Sequence, residues 1–287
     1  MRDLPGLTAF VTGAASGIGF ALAGAFAEES MNVMLADIEA PALESAVARL
    51  AAHAPRIASV VCDVSDHASV LRAAQLTAAA FGPVHILCNN AGVAGGSGID
   101  SVSTETWRWV VDVNLMGVVH GVAAFLPDMR AAGQGGHIVN TASMAGLQAN
   151  IGFSPYVATK YAVVGMSEGL AKDLAGEGIG VSVLCPGFVR TAISESARNR
   201  QASYGLAAKP APGSKAAQLA AHHAANAADG LDPDVVAAQV LAAIRANEFY
   251  VFTHPALREE VDALCGNRCG FSARSHLIDE IAYAAAN

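Results

Sequence analysis

The stretch TAFVTGAASGIG, residues 8–19, decides the fold of this chain. Its first five residues are apolar or β-branched, which is typical of a strand buried in a parallel sheet. Glycines at positions 13, 17 and 19 follow, and an Ala- and Leu-rich run to about residue 29 predicts a helix. Glycine allows the tight turn and the close backbone approach that a side chain would block. Together, these features predict a site for a dinucleotide pyrophosphate at a helix N-terminus.

The spacing of these glycines is G-x-x-x-G-x-G, which differs from the common G-x-G-x-x-G fingerprint. A glycine-rich turn without a ligand therefore stays open as an alternative at this point.

The rest of the chain alternates between short apolar strands and Ala-rich helices. Further strands are predicted at 32–36, 57–62, 84–88, 137–141, 181–185 and 249–252, and further helices at 41–52, 68–80, 105–130 and 155–175. This alternation predicts an α/β fold, a single Rossmann-like doubly wound parallel sheet of about seven strands with helices on both faces. Residues 1–287 should form one dinucleotide-binding and catalytic domain. Pro127 should end or kink its helix near Leu126.

Residues 194–230 interrupt the alternation with Lys209-Pro210, Pro212-Gly213 and several alanines. We call them the 194–230 segment. The sequence predicts either a mobile lid over a substrate or an excursion on the surface.

Tyr156 and Lys160 lie four residues apart, and Ser143 precedes the tyrosine by thirteen residues. Four residues along a helix place two side chains on the same face. A phenol has a pKa of about 10, and a neighbouring ammonium group favours the phenolate and lowers that pKa. A serine hydroxyl at another strand end can hold a substrate oxygen beside the phenol. The spacing predicts an acid–base site. The alternative is a Tyr and a Lys that share one helix by chance.

Motifs along the chain resemble those of the short-chain dehydrogenase/reductase family. Residues 12–19 are similar to its T-G-x-x-x-G-I-G cofactor loop, 89–92 to its N-N-A-G turn and 186–191 to its P-G-x-x-x-T segment. Asn114, Ser143, Tyr156 and Lys160 fall at the positions of its catalytic tetrad. The resemblance runs from about residue 7 to 191 and more weakly to about 253, and it favours the lid for the 194–230 segment.

The resemblance implies a role for each of these residues. Tyr156 would take the proton of a secondary alcohol while hydride passes to the nicotinamide, or give it to a carbonyl in reduction. Ser143 would fix the substrate oxygen, and Lys160 would lower the tyrosine pKa and hold the nicotinamide ribose. Asn114 would link Lys160 to solvent through a water, or satisfy backbone groups at a helix irregularity. The implied cofactor-binding residues are Gly13, Ser16, Gly17, Ile18, Gly19, Asp37, Asp63, Val64, Asn90, Ala91, Gly92, Tyr156, Lys160, Pro186, Gly187, Val189 and Thr191.

Asp37 predicts NAD as the cofactor. It follows the second strand at twenty-four residues after Gly13, near the spacing at which a carboxylate meets the adenosine ribose. A carboxylate accepts hydrogen bonds from both ribose hydroxyls, whereas the 2′-phosphate of NADP would bring like charges together. No Lys or Arg occupies positions 14–16 or 38–40. Asp37 could instead be a solvated aspartate in a turn. Asp63, named above with the cofactor-binding residues, could instead cap the next helix.

Composition narrows the function classes. A net charge of −8 without a basic tract argues against nucleic acid. No uninterrupted apolar run reaches the roughly 20 residues needed to span a bilayer, and the start of the chain is unlike a secretory signal. Five cysteines without an export signal suit a reducing, cytoplasmic compartment. Cys265 and Cys269, with His276, lack a fourth metal ligand at sensible spacing, so we expect no metal site.

Three functions fit the sequence. The favoured one is an NAD-dependent oxidoreductase acting on a hydrophobic secondary alcohol or its ketone. The alternatives are a non-catalytic dinucleotide-binding sensor or scaffold, and an epimerase or dehydratase that recycles its cofactor. Resemblance to family members that pair the helices at 105–126 and 155–175 implies a homotetramer or homodimer.

The predicted substrate wall is apolar: Val93, Ala94, Met144, Leu147, Phe153 and Phe188, with Gln148, Arg190 and histidines of the 194–230 segment as polar exceptions. Buried polar groups of a sugar or phosphate would stay unpaired against such a wall, at about 1–3 kcal/mol each. An aryl, alicyclic or steroid-like substrate is therefore favoured. Residues 114–117, 136–143 and 250–254 also resemble bacterial dehydrogenases that act on lignin-derived aryl alcohols.

Overall fold

The computed structural model describes residues 3–95, 102–149, 152–206 and 210–254, together with residues 256, 259 and 261. Its centre is one seven-stranded sheet, ordered β3-β2-β1-β4-β5-β6-β7, in which every neighbouring pair is parallel. The strands are β1 (Thr8–Thr12), β2 (Asn32–Asp37), β3 (Ile57–Val61), β4 (Ile86–Asn89), β5 (Gly136–Thr141), β6 (Ile179–Cys185) and β7 (Tyr250–Phe252). The predicted α/β fold and the number of strands are confirmed.

Helices cover both faces of this sheet. They are α1 (Gly17–Glu28), α2 (Ala40–Arg49), α3 (His67–Phe81), α4 (Thr104–Val111), α5 (Gly117–Ala132), α6 (Ser154–Asp173), α7 (Lys215–Ala228) and α8 (Pro233–Ala246).

Alternation along the strands divides the core in two. On β1, Phe10 packs into a core with α3, α4, α5 and α6, whereas Ala9 and Val11 pack into a second core with α1, α2 and α8. All five β1 residues are buried, as expected for a central strand covered on both sides. These helices fix the sheet, so its strand ends are rigid supports for side chains.

The strand order reverses between β1 and β4. From β1 the chain runs outward through β2 to β3, and from β4 it runs the other way to β7. A crevice opens at the carboxyl ends of the strands at such a reversal, where open α/β sheets bind ligands. The glycine turn after β1 and the turn after β4 both lie there.

The helix predicted over 105–130 is two helices joined by a π-helical turn, Asp112–Met116. The predicted end near Leu126 is wrong, because α5 continues through Pro127 to Ala132. Pro127 and Ala123 are both exposed, so the carbonyl that the missing N–H leaves unpaired can bond to water.

The helical stretch Thr104–Ala132 has the length and composition of a membrane-spanning helix, and no other helix among the described residues does. More than half of its most apolar part is buried within the fold, as in the core helix of a protein without a membrane span. The stretch is therefore weak evidence for a membrane.

The 194–230 segment contains two parts. The first consists of two 3₁₀ turns, Ile193–Asn199 and Ala202–Tyr204, and the second is α7. Residues 207–209 of the segment lie outside the described residues.

Candidate active site

A cleft of about 1130 Å³ lies at the carboxyl ends of the strands. Most of the predicted site residues line it: Gly13, Ser16, Gly17, Ile18, Asp37, Asp63, Val64, Asn90, Ala91, Gly92, Ser143, Tyr156, Lys160, Pro186, Gly187, Val189 and Thr191. Gly19 and Asn114 lie behind its wall. The structure thus brings together side chains that are far apart in the sequence.

The glycine turn between β1 and α1 is packed so tightly that side chains are excluded. Gly13 has φ of +65° and Gly17 has φ of +53°, in the left-handed region that favours glycine. A Cβ on Gly13 would come within 2.9 Å of Ala91 Cα, and one on Gly19 would overlap the Gly13 carbonyl. The turn can therefore bring backbone close to a bound phosphate group at the start of α1.

Asp37 ends β2 and holds the glycine turn. Its Oδ2 accepts a hydrogen bond from Ala15 N at 3.0 Å, and its Oδ1 accepts one from Glu39 N at 3.0 Å. The carboxylate is fixed at the cleft wall and keeps lone pairs for further donors. It is therefore not a freely solvated turn aspartate.

Thr12 and Asn90 tie the turn after β4 to β1. Thr12 Oγ1 accepts hydrogen bonds from Asn90 N at 2.9 Å and Ala91 N at 3.0 Å, and Asn90 Nδ2 donates to Thr12 O at 3.0 Å. Asn90 Oδ1 accepts from Thr141 Oγ1 of β5. Asn140 Nδ2, on the same strand, donates to Ser167 Oγ at 3.0 Å. Both asparagines thus have supporting contacts within the fold.

Tyr156 and Ser143 meet at the opposite end of the cleft. Ser143 Oγ accepts from Ala145 N at 3.1 Å at the end of β5, which fixes it in place. The Tyr156 phenol lies close enough to the Ser143 hydroxyl for the serine to influence its pKa. Burial raises the pKa of Tyr156, and the Ser143 hydroxyl acts against that rise.

Lys160 lies one helical turn after Tyr156 and is almost fully buried. Its Nζ donates to Thr141 O at 2.8 Å and lies 5.5 Å from the centroid of the Tyr156 ring. Burial lowers the pKa of Lys160 to about 8. In this arrangement burial is the largest influence on the pKa of the phenol, and the expected lowering of that pKa by the lysine stays a prediction.

Asn114 lies in the π-helical turn and is 1% exposed. Its Oδ1 accepts from Val93 N at 2.8 Å, and its Nδ2 donates to Val93 O at 3.0 Å. The irregular helix thus turns Asn114 toward the chain that follows β4. A Cβ on Gly92 would lie 3.4 Å from Asn114 Oδ1 and 3.6 Å from Lys160 Nζ, so both polar groups face the same small space. Of the two roles predicted for Asn114, these contacts match the second, in which the amide hydrogen-bonds backbone groups at a helix irregularity.

The segment 186–191 closes the wall beyond Tyr156. Pro186 O accepts from Met144 N at 2.9 Å, and Gly187 N donates to Thr253 Oγ1 at 3.0 Å. Thr191 packs against Gly17, where a Cβ would lie 2.9 Å from the threonine methyl. The two ends of the cleft are therefore in direct contact through this segment.

The 194–230 segment also contacts the other end of the cleft, which no pattern in the sequence predicted. Gln201 Nε2 donates to Asp63 Oδ2 at 2.7 Å, and Arg198 and Asn199 both bond Glu39. Asp63 Oδ1 also accepts from Ser65 N, which makes it a turn cap as well. Only spatial contact links these pairs, because they lie more than 130 residues apart along the chain.

Not every expected wall residue lines the cleft. Leu147 is buried in the core, and Arg190 forms an ion pair with Asp232 outside it. The wall includes Val93, Ala94, Met144, Gln148, Phe153 and Phe188, and His223 of α7 and His254 add to it.

No cluster of three metal-ligating side chains occurs among the described residues. Cys265, Cys269 and His276 lie outside them.

The residues of the cleft fit a dinucleotide. The glycine turn forms a cradle that any Cβ would fill, at the start of a helix. Gln201 Oε1 and Trp109 Nε1 are buried in the wall without hydrogen-bond partners, which leaves an acceptor and a donor for a ligand. The cleft extends from Asp37 past the glycine turn to Tyr156.

Comparison with known proteins agrees with this geometry. The family model described as short chain dehydrogenase matches residues 7–202. A C alpha-dehydrogenase of Sphingobium sp. strain SYK-6 is 34% identical over 263 residues, 91% of this chain and 85% of that protein.

Two solved structures show the same fold. A short-chain dehydrogenase/reductase from Burkholderia phymatum in complex with NAD superposes with a TM-score of 0.87 and is 39% identical, covering 91% of this chain and 93% of its own. An actinorhodin polyketide ketoreductase with NADPH has a TM-score of 0.74 and is 28% identical, covering 90% of this chain and 99% of its own. The chain belongs to the short-chain dehydrogenase/reductase family, whose members are oxidoreductases that bind a nicotinamide cofactor and act on CH–OH groups of small molecules.

Proposed function

We propose that this protein interconverts a hydrophobic secondary alcohol and its ketone with NAD as cofactor and Tyr156 as the acid–base group. The observation that carries the proposal is the meeting of Tyr156, Ser143 and Lys160 in one cleft with the glycine turn and Asp37. A sensor or scaffold would not need a neighbouring Ser and Tyr at the end of such a cleft.

The neighbouring hydroxyls of Ser143 and Tyr156 define where the substrate oxygen binds. That oxygen can accept from the Ser143 hydroxyl and exchange a proton with the Tyr156 phenol, which lie side by side. The raised pKa of Tyr156 keeps the phenol protonated near neutral pH, the form that gives a proton to a carbonyl. The nicotinamide supplies hydride transfer when it is bound.

Lys160 has a positioning role at this site. Its ammonium is held by Thr141 O beneath the tyrosine ring, at the end of the strand that Ser143 follows. It is therefore placed to donate to a ribose hydroxyl while it keeps the Thr141 contact, because an ammonium has three donors. Asn114 fixes the neighbouring backbone at Val93.

The choice of NAD is supported by Asp37. Its carboxylate is held by two backbone N–H groups at the cleft wall, where it can accept from ribose hydroxyls. A 2′-phosphate there would meet this carboxylate and that of Glu39, which also lines the cleft. The solved relative with NAD supports the same choice, whereas the relative with NADPH shows that both cofactors occur in the family.

A hydrophobic substrate is supported by the aromatic wall near Tyr156. The Phe153 ring lies 6.5 Å from the Tyr156 ring and 4.4 Å from the His223 ring, and Phe188 lies 5.9 Å from His223. Burial lowers the pKa of His223, so the imidazole is neutral at physiological pH. The wall thus offers apolar rings and a neutral hydrogen-bonding group without a fixed charge. α7 covers this end as part of a substrate lid.

Two further proposals concern the state of the protein in the cell. Gly165 and Gly169 are exposed on α6, and a Cβ added to either would meet no atom of another element among the described residues within 4 Å, which suits close packing of a second copy in a homodimer or homotetramer. Cys62 and Cys88 are buried in the core as thiols, which suits a cytoplasmic protein.

The proposal is tested by screening secondary alcohols with NAD and with NADP while following reduced nicotinamide. We expect a preference for NAD and for aryl or cyclic alcohols over short aliphatic ones. Asp37→Ser should reduce the preference for NAD over NADP, mainly by weakening the binding of NAD. Equal kcat/KM for the two cofactors in the wild type would contradict the role of Asp37, and a preference for sugars or phosphorylated substrates would contradict the substrate class.

A further inference from the structure

The rim of the cleft beside Asp37 contains an ion pair between distant parts of the chain. Arg198 Nη2 lies 2.7 Å from Glu39 Oε1, and Arg198 Nε lies 3.2 Å from Glu39 Oε2, so the pair is bidentate. Asn199 Nδ2 donates to Glu39 Oε1 at 2.8 Å. Glu39 N in turn donates to Asp37 Oδ1 at 3.0 Å. Glu39 is therefore one hydrogen bond away from the carboxylate assigned to the adenosine ribose.

Arg198 differs from the other cations of the cleft wall in what holds it. Lys160 is buried at the far end and bonds Thr141 O. Arg200 is held by the carbonyl oxygens of Gly205 and Tyr204 and by Thr106 Oγ1. The other hydrogen bond of Arg198, to Ala192 O, is long at 3.4 Å. Its strong partner is the carboxylate of Glu39, which neutralises it.

The pair is accessible enough for its charge to act on a ligand. The side chains of Arg198 and Glu39 are 37% and 27% exposed, and both line the cleft. The hydrogen bond from Arg198 lowers the pKa of Glu39, which keeps the carboxylate charged near neutral pH. A guanidinium is also the side chain best matched to a phosphate, which it binds bidentately.

We propose that Glu39 is a second cofactor-selectivity residue, which acts against NADP by occupying and neutralising Arg198. The inference rests on the proposed function, in which the adenosine ribose lies at Asp37. With Glu39 in place, a 2′-phosphate meets two carboxylates and a guanidinium that is already paired. Without the Glu39 charge, Arg198 becomes available to the phosphate. Asp37 then favours NAD directly, whereas Glu39 keeps Arg198 from binding the 2′-phosphate of NADP.

The test measures dissociation constants of NAD and NADP by calorimetry, so it needs no substrate. It compares wild type, Glu39→Gln, Arg198→Gln and the double variant, and the readout is the ratio of the NADP constant to the NAD constant. Glu177→Gln is the matched control, since Glu177 forms a bidentate pair with Arg130 far from the cleft, at 2.6 and 2.8 Å.

Glu39→Gln should lower the ratio about five- to tenfold in favour of NADP, a change in the range of single charge substitutions. Arg198→Gln should not show this gain, and the double variant should show only the smaller part that comes from removing the Glu39 charge, because the rest requires the guanidinium. Glu177→Gln should keep the wild-type ratio. Because the ratio compares two ligands of one variant, a general loosening of the 194–230 segment cancels from it.

An unchanged ratio in Glu39→Gln overturns the inference and leaves the pair as a contact that only fixes the segment. A gain that survives in full in the double variant also overturns it, since the gain would then not come from Arg198. If the wild type itself prefers NADP, the proposed role of Asp37 fails instead. The two failures are thus distinguishable in one set of titrations.

Discussion

The two ends of the cleft are built in different ways. At the end beside Asp37, backbone groups and short polar side chains at strand ends hold one another through hydrogen bonds of about 3 Å. At the substrate end, rings from separate elements meet through apolar contacts, and Phe188 is 43% exposed. The sheet therefore dictates the first end, whereas individual side chain choices dictate the second. This difference explains how a family can keep one chemistry and vary its substrates.

The largest effect should come from Tyr156, the proposed acid–base group. Tyr156→Phe removes the proton carrier and keeps the ring, so folding and NAD binding should survive. Acid–base catalysis contributes about 10²–10⁴-fold, and turnover should fall by at least that range. The measurement is steady-state kinetics together with an NAD titration of the same variant. Near-normal turnover would contradict the assignment.

The rigidity of the cofactor end predicts that even one methyl group is not tolerated there. In Gly19→Ala the new Cβ overlaps the Gly13 carbonyl, and relieving that clash should cost about 2–3 kcal/mol, or roughly 30–140-fold in NAD affinity. Gly24→Ala is the matched control in the same helix, because its Cβ would lie 3.9 Å from the nearest atom. Equal NAD affinity in both variants would show that the turn is more adaptable than its contacts indicate.

The sheet beneath both ends should impose a pH dependence on stability. His137 on β5 is buried, its Nε2 bonds Ser182 Oγ at 2.8 Å, and burial lowers its pKa to about 3. In the unfolded chain the pKa returns to about 6.5, so the unfolded state binds more protons between these values. The stabilisation is complete above pH 6.5 and should be lost as the pH falls toward 3, by about 1.4 kcal/mol per pH unit.

Urea unfolding at pH 6.5 and pH 5 measures this loss. His137→Gln, which has no titrating group at this position, should lose less stability than the wild type over the same interval. An equal loss in both proteins would mean that His137 does not carry the effect.

The smallest effect should come from the substrate end. Phe188→Ala removes a half-exposed ring from the aromatic wall, so KM for a bulky alcohol should rise about five- to tenfold while NAD affinity is kept. Leu206→Ala is the control, because Leu206 is 99% exposed and does not line the cleft. A matching rise in KM for a short aliphatic alcohol would indicate that Phe188 supports the fold rather than the substrate.

The contrast between hydrogen-bonded strand ends and individual side-chain contacts also determines which features could be predicted from the sequence. Strand bounds agree with the structure within two residues, because apolar runs between glycine-rich turns determine them. The site residues at strand ends come together because parallel strands place their carboxyl ends at one edge. Contacts made by the 194–230 segment, such as Gln201 with Asp63, were not predictable, because no local pattern links residues so far apart. The sequence indicated a helix irregularity at Asn114 but not a π-helical turn, because residues 105–130 resemble one continuous helix.

The pKa of Tyr156 shows a second limit. Spacing placed the lysine on the same helix face but could not show that its Nζ bonds Thr141 O or how deeply the phenol is buried. Residue spacing thus predicts which groups meet, whereas the balance of burial against charge requires coordinates.

The most direct test of the central claim follows the hydride itself. The best alcohol from the screen, deuterated at its carbinol carbon, is incubated with the protein and NAD, and the reduced cofactor is analysed by mass spectrometry. The account predicts one deuterium in each reduced nicotinamide formed, with ketone released in equal amount. Product formed without net reduced cofactor, or with the deuterium retained in the product, would contradict it and indicate an epimerase or dehydratase that recycles its cofactor.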